Sequence, residues 1–172
     1  MKEYTRELGG SKVTCRFLTS SEIKDIESLK PVTQVSGMCF NDKGKIVIVS
    51  SRPGKWGIPG GKPENGETKE ETLKREVSEE ACLTLGKIAP VGFLEIIFPN
   101  NPNKVEGDHF YQARFIGIIG SVNKMIKDPA TGILFKRKLI KPGEFIEYVK
   151  WGDADELVKG SLKKFKEIYN EK

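Results

Sequence analysis

Apolar and polar positions change period several times along the chain, and each change marks an element. Residues 12–19 alternate weakly and predict an edge strand, after which Thr19-Ser20-Ser21-Glu22 has the form of a capping box opening a short helix to about Leu29. Pro31 closes that helix. Residues 32–40 and 45–51 are strand-like runs separated by Asn41-Asp42-Lys43-Gly44, a sequence suited to a tight reversal, so they predict a hairpin. The Gly/Pro-rich stretch 52–66, with Trp56-Gly57-Ile58-Pro59-Gly60-Gly61 at its centre, predicts an ordered loop. From Thr68 the period becomes helical: Leu73, Val77 and Ala81 at i, i+4 and i+8 form one apolar stripe.

Beyond the helix, residues 83–98 and 109–117 predict longer strands joined by the turn Pro99-Asn100-Asn101-Pro102-Asn103. Residues 133–140 and 144–151 predict two more strands. Residues 153–170 predict a closing amphipathic helix buried through Leu157, Leu162, Phe165 and Ile168. Strands gathered around one helix and followed by another argue for a mixed sheet with helices on its faces, an α/β/α sandwich. Regular strand-helix alternation and a glycine-rich phosphate loop are both missing, which excludes a doubly wound nucleotide fold.

Length adds that the 172 residues suit a single domain, with a core over about 32–172 and an N-terminal strand and helix extension over 1–31. Cys15, Cys39 and Cys82 are too few and too widely spaced for a disulfide framework or a zinc site, and no run has the character of a signal peptide or membrane span. The expectation is a reduced, cytoplasmic protein with no membrane partner. A formal charge of +5 conceals a division between an acidic stretch at 64–80 and a basic cluster of Lys124, Lys127, Lys136, Arg137, Lys138 and Lys141 in an insertion at 119–142. Such a field draws anions, as a polyphosphate or a nucleic-acid end would require, and a solvated lysine surface accounts for it equally.

The acidic stretch carries the chemistry. Between Gly61 and Leu83 seven carboxylates stand against three lysines and one arginine. Glu76, Glu79 and Glu80, at i, i+3 and i+4, fall on one side of the helix beside its apolar stripe, where like charges repel unless a cation intervenes. Magnesium takes oxygen ligands, commonly a few carboxylates with waters and substrate phosphates, and Gly61 can bring a backbone carbonyl close to the same ion. Arg75 with Glu67 can form a bidentate tie between loop and helix.

Gly61, Glu67, Arg75, Glu76, Val77, Glu79, Glu80 and Leu83 resemble the Nudix box, G-x5-E-x7-R-E-U-x-E-E-x-G-U with U bulky and aliphatic, and Trp56 to Gly60 resembles its usual lead-in. Cys82 stands where the second glycine is expected, which bears on how the helix ends. The resemblance implies hydrolysis of a nucleoside diphosphate linked to another group, with Mg²⁺ or Mn²⁺ as cofactor. It implies metal ligation by Gly61, Glu76, Glu79 and Glu80, with Glu76 a ligand or the base, and an orienting role for Arg75. A base from outside the box is sometimes used, and Glu144 and Glu147 are the candidates, Glu144 first. Arg52 is a candidate phosphate contact and Trp56 a candidate stacking partner for a base. Glu106, Asp108 and His109 read as loop and strand-end residues. Pro99, sixteen residues after Leu83, resembles a mark of ADP-ribose pyrophosphatases; oxidised nucleoside triphosphates, dinucleoside polyphosphates and capped RNA remain substrates of the same class. The alternative is a catalytically silent module that binds a nucleotide or an RNA 5′ end.

Overall fold

A computed structural model describes residues 2–8, 10–23 and 29–170. Its elements are β1 (Lys2–Leu8), β2 (Ser11–Thr19), β3 (Val32–Phe40), β4 (Ile46–Arg52), β5 (Lys55–Gly57), β6 (Gly60–Gly61), α1 (Lys69–Ala81), β7 (Leu83–Ile97), β8 (His109–Val122), β9 (Lys136–Ile140), a 3₁₀ turn (Pro142–Glu144), α2 (Phe145–Tyr148) and α3 (Ala154–Asn170). The strands form one sheet in the order β1-β2-β7-β8-β3-β4-β5, with β6 added on β3 and β9 on β4. β3 runs parallel to β8 and the other pairs are antiparallel, so the sheet is mixed as expected.

Side-chain alternation along β3 separates two cores. Val35 and Cys39 meet Leu73, Val77 and Ala81 of α1 on one face, while Met38 and Phe40 meet Phe145 and Leu157 on the α3 face. Burying Leu73 and Val77 contributes about 1.5–3 kcal/mol each, enough to fix the rotation of α1 and so the direction of the glutamates beside the stripe. Gly37 lets the helix come this close, because a Cβ there would lie 2.6 Å from Leu73 Cδ1. Thr68 opens α1 with a capping box: its hydroxyl accepts from Glu71 N at 3.2 Å and Glu71 Oε2 accepts from Thr68 N at 2.8 Å.

The other end of α1 explains the missing glycine. Cys82 takes the left-handed conformation itself, with φ 49° and ψ 49°, which costs about 1–2 kcal/mol for a residue with a side chain. Arg137 of β9 offsets this by donating to the carbonyls of Ala81 and, at 3.2 Å, Cys82, placing a cation on the helix C-terminus. One residue of the basic cluster is therefore structural.

Several sequence expectations need correction. The strand at 12–19 is flanked by β1 and β7, so the edge is β1, which the weak alternation of residues 2–8 concealed. The helix expected from 19 to 29 falls partly on residues 24–28, outside those described; Glu22 does fold back on Thr19, accepting from its N–H at 2.8 Å. The strand expected at 133–140 is shorter, Lys136–Ile140. The strand expected at 144–151 is instead the 3₁₀ turn and α2: Pro142 presets a first helical turn, and Phe145 and Val149, four apart, are both buried. Among the described residues no helix is long and apolar enough to cross a membrane.

Candidate active site

The glycine loop and α1 meet over β3. Gly60 and Gly61 pair with Ser36 and Val35 of β3, and Pro59 O accepts from Gly37 N at 3.1 Å, so the loop is held as an extra short strand. A Cβ on Gly61 would collide with the Glu76 carboxylate, which shows how closely backbone and acid approach. Glu80 reaches back to the same loop, where its Oε2 accepts from Gly60 N at 2.9 Å.

Arg75 organises the remaining acids. Its Nε and Nη2 donate to the two oxygens of Glu67 at 2.8 and 3.2 Å, the bidentate tie foreseen from sequence. Nη2 also donates to Lys62 O at 3.0 Å, and Nη1 to Glu76 Oε1 at 2.8 Å and Glu79 Oε2 at 3.0 Å. Glu67 takes further bonds from Glu64 N and Thr72 Oγ1, which with Arg75 pull its pKa down to about 2. Glu76 and Glu79 thus share Arg75 Nη1, while Glu80 is bound to Gly60 N. As they stand, no three acids among the described residues converge in chelating geometry.

Burial pushes the Glu80 carboxyl up to about 7 against the pull of Gly60 N–H, with the charges of Glu76, Asp128 and Glu79 adding to the rise. Glu76 is raised for the same first reason, with Arg75 opposing. Asp128 is the residue that sequence reasoning missed. It is 6% exposed, and burial working on it is outweighed by bonds from Thr131 and Ala130 that hold its own carboxyl below the usual range. Its Oδ1 accepts from Ala130 N at 2.8 Å and Thr131 N at 3.1 Å. In sequence, Asp128-Pro129-Ala130-Thr131-Gly132 signals a turn at the tip of the insertion and nothing more. Folded, that tip brings a fourth negative charge to the glutamates.

The other sequence candidates lie elsewhere or are engaged. Glu144 Oε2 accepts from Lys141 N at 2.8 Å and so caps the 3₁₀ turn. Arg52 is exposed at the end of β4, where its backbone carbonyl accepts from Ser50 Oγ. Trp56 packs edge-on against Tyr148, ring centroids 6.1 Å apart, beside the α3-face core. His109 pairs with Glu95 at 2.9 Å, Glu106 with Lys62 at 3.1 Å, and Asp108 accepts from the backbone of Asn100 and Asn101.

A pH dependence follows from Glu80. Its carboxyl ionises near 4.5 in the unfolded chain and near 7 when folded, so between those values the folded state binds more protons and stability falls as pH rises. Glu67 works in the opposite direction, its contribution disappearing as pH drops below about 4.5 towards 2. In metal-free buffer the melting temperature is expected to decline from about pH 5 to pH 7.5. A thermal-shift series in EDTA checks it, and a flat or rising curve over that interval contradicts the buried-acid account.

A NUDIX domain family model matches residues 30–171. The chain belongs to the Nudix family. Its fold resembles that of a mutant of the Bacillus subtilis pyrophosphohydrolase BsRppH, at 20% identity over 97% of both chains with a TM-score of 0.66. It also resembles MutT, from a study of the Aliivibrio salmonicida and Vibrio cholerae proteins, at 20% identity over 78% of this chain and 98% of that one, TM-score 0.56. A NUDIX hydrolase from Nitrosomonas europaea matches at 20% identity over 76% of this chain and 88% of that one, TM-score 0.57. The expected α/β sandwich and Nudix hydrolase class therefore stand. Nudix hydrolases use divalent metal ions. The hairpin of β1 and β2 precedes the family-matched residues.

Proposed function

We propose that this Nudix hydrolase cleaves the pyrophosphate bond of a nucleoside diphosphate derivative with Mg²⁺ or Mn²⁺. One observation carries the reading: Glu76 and Glu79 are held by a single arginine, Glu80 and Asp128 stand close enough for the four negative charges to act on one another, and Glu80 is buried so that its charge is disfavoured. An assembly with that excess of negative charge is relieved by a hard cation. The residues suit one, since every donor is an oxygen and the Gly61 backbone lies against the Glu76 carboxylate. Among the described bonds, Glu76 Oε2, Glu79 Oε1 and Glu80 Oε1 are not taken up by Arg75 or Gly60.

Glu76, Glu79, Glu80 and the Gly61 carbonyl would hold the cation, and Asp128 would add charge that strengthens its retention. Bound there, the ion supplies charge neutralisation at the phosphates and an acidified water. Arg75 keeps Glu76 and Glu79 apart and aimed, and through Glu67 anchors the loop to the helix. Glu76 serves as a ligand or as the base; Glu144 reaches the base's role only by leaving its bond to Lys141.

The test is incubation with a panel of nucleoside diphosphate derivatives and triphosphates in Mg²⁺ or Mn²⁺, reading both products by phosphorus NMR. Metal-dependent release of a nucleotide and a phosphorylated partner is expected. Nucleotide binding without turnover of any member rejects the reading in favour of a silent binding module.

A further inference from the structure

Cys82 stands where the Nudix box has its second glycine, and its side chain is engaged. The Cys82 N–H closes α1 on Ser78 O at 3.1 Å, and its carbonyl accepts from Asn123 N at 2.9 Å and from Arg137 Nη1 at 3.2 Å. The thiol accepts from Ile126 N at 3.4 Å. Glycine would take the left-handed conformation without strain and would offer the same three backbone bonds. The bond to Ile126 is the one glycine could not make. A side chain held in a strained conformation, where glycine would be relaxed, calls for a task.

The task visible in the structure is to hold the insertion. Residues 123–127 meet the end of α1 at Asn123 and Ile126, both through Cys82. On the returning limb Arg137 Nη2 donates to Asn123 O at 3.1 Å, while Phe135 packs on the α1-face core. At the tip Asp128 N donates to Ile133 O and Gly132 N to Asp128 O, both at 2.8 Å, so the two limbs close on each other. Ile126, Ile133 and Leu134 are 63%, 40% and 56% exposed, so these apolar side chains do little to anchor the segment and its backbone bonds must serve instead. Asp128 lies two residues beyond Ile126, and fixing the one places the other. Its charge acts on Glu76 and Glu80, and that repulsion pushes the tip away unless something ties it down.

Resting on the proposed metal-dependent reading, we propose that Cys82 is a positioning residue: through its thiol and carbonyl it latches the insertion to the end of α1 and keeps Asp128 beside the glutamates that would hold the cation. The helix bearing Glu79 and Glu80 ends at Cys82, so one residue sets both sides of the site. A glycine there would end the helix equally well and release the tip.

Mn²⁺ binding to the whole protein, read from the free-ion signal in electron paramagnetic resonance, tests this without turnover. Cys82→Gly is expected to weaken Mn²⁺ binding about tenfold, the low end of what losing an outer partner costs a metal site. Its melting temperature is not expected to fall in step, because strain is relieved as the thiol is lost. Cys82→Ala, which keeps the Cβ and lacks the acceptor, is expected to weaken binding to the same extent. In an Asp128→Asn background, itself weakened about tenfold, Cys82→Gly is expected to change nothing further. Undiminished Mn²⁺ binding in both cysteine variants overturns the assignment. So does a loss that persists in full in the Asp128→Asn background, which marks plain support of the helix end. A wild-type protein that binds no Mn²⁺ overturns the latch together with the metal-dependent reading. Mn²⁺ binding without turnover in the hydrolysis panel rejects the enzymatic reading alone, whereas turnover with unaltered Mn²⁺ affinity in both variants rejects the latch alone.

Discussion

Glu80→Gln is expected to lower kcat by about 10²- to 10³-fold while the protein still folds. The substitution is nearly isosteric and its amide oxygen can still accept from Gly60 N, so the loop keeps its place on the helix. What disappears is the charge offered to a cation. The same variant is expected to lose the decline in metal-free stability between about pH 5 and pH 7.5, because the group that titrates near 7 is gone. Steady-state kinetics across a Mg²⁺ titration, with thermal melts in EDTA, read both effects. A folded variant with full turnover removes Glu80 from the chemistry, and one whose pH profile is unchanged removes it from the titration.

Arg75→Ala is expected to have the largest effect on stability, about 2–3 kcal/mol, together with a marked loss of activity. Four acceptors depend on this side chain: Lys62 O, Glu67, Glu76 and Glu79. Three of them are carboxylates whose side chains are 19%, 13% and 18% exposed, so the variant leaves partly buried negative charges facing each other. Urea unfolding at pH 7 measures the loss. The folded Glu67 carboxyl lies near 2 chiefly because of Arg75, so the stability it adds is full above about pH 4.5 and is lost as pH falls from there towards 2. Without the arginine, acid unfolding is expected to begin at higher pH. Arg75→Lys is expected to recover little, as an ammonium cannot span both oxygens of Glu67 and reach Glu76 and Glu79 as well. Wild-type stability in Arg75→Ala contradicts the organising role.

Legibility differed by element. The stripe of Leu73, Val77 and Ala81 identified α1 because its three buried apolar positions repeat every four residues on a helix with a polar remainder. The strands expected at 32–40 and 45–51 were equally plain, the second lying one residue on at Ile46–Arg52, and the turn between them is held by Asn41 Oδ1, which accepts from Lys43 N at 3.0 Å and Lys45 N at 2.8 Å. The segment 144–151 misled because Ile146, Val149 and three aromatics favour strands, while the burial that decides the matter, Phe145 with Val149, comes from packing against the α3-face core. Tie Glu67–Arg75 could be read from spacing because both residues belong to one contiguous loop and helix. Asp128 could not, since its charge matters only where the insertion folds back over α1.

From the order of residues alone came the helix that carries Glu76, Glu79 and Glu80, its rotation, its family and the hard-oxygen character of its acids. These are short-range properties, set by periodicity and by neighbours within one or two turns. Tertiary structure alone decided that Arg137 would close the helix at Cys82, that Asp128 would join the glutamates, and that Arg114, Trp151 and Asp153 would meet Tyr4 around one cavity. Each joins segments dozens of residues apart through sheet pairing and burial, and no local pattern records which distant strand a chain will find.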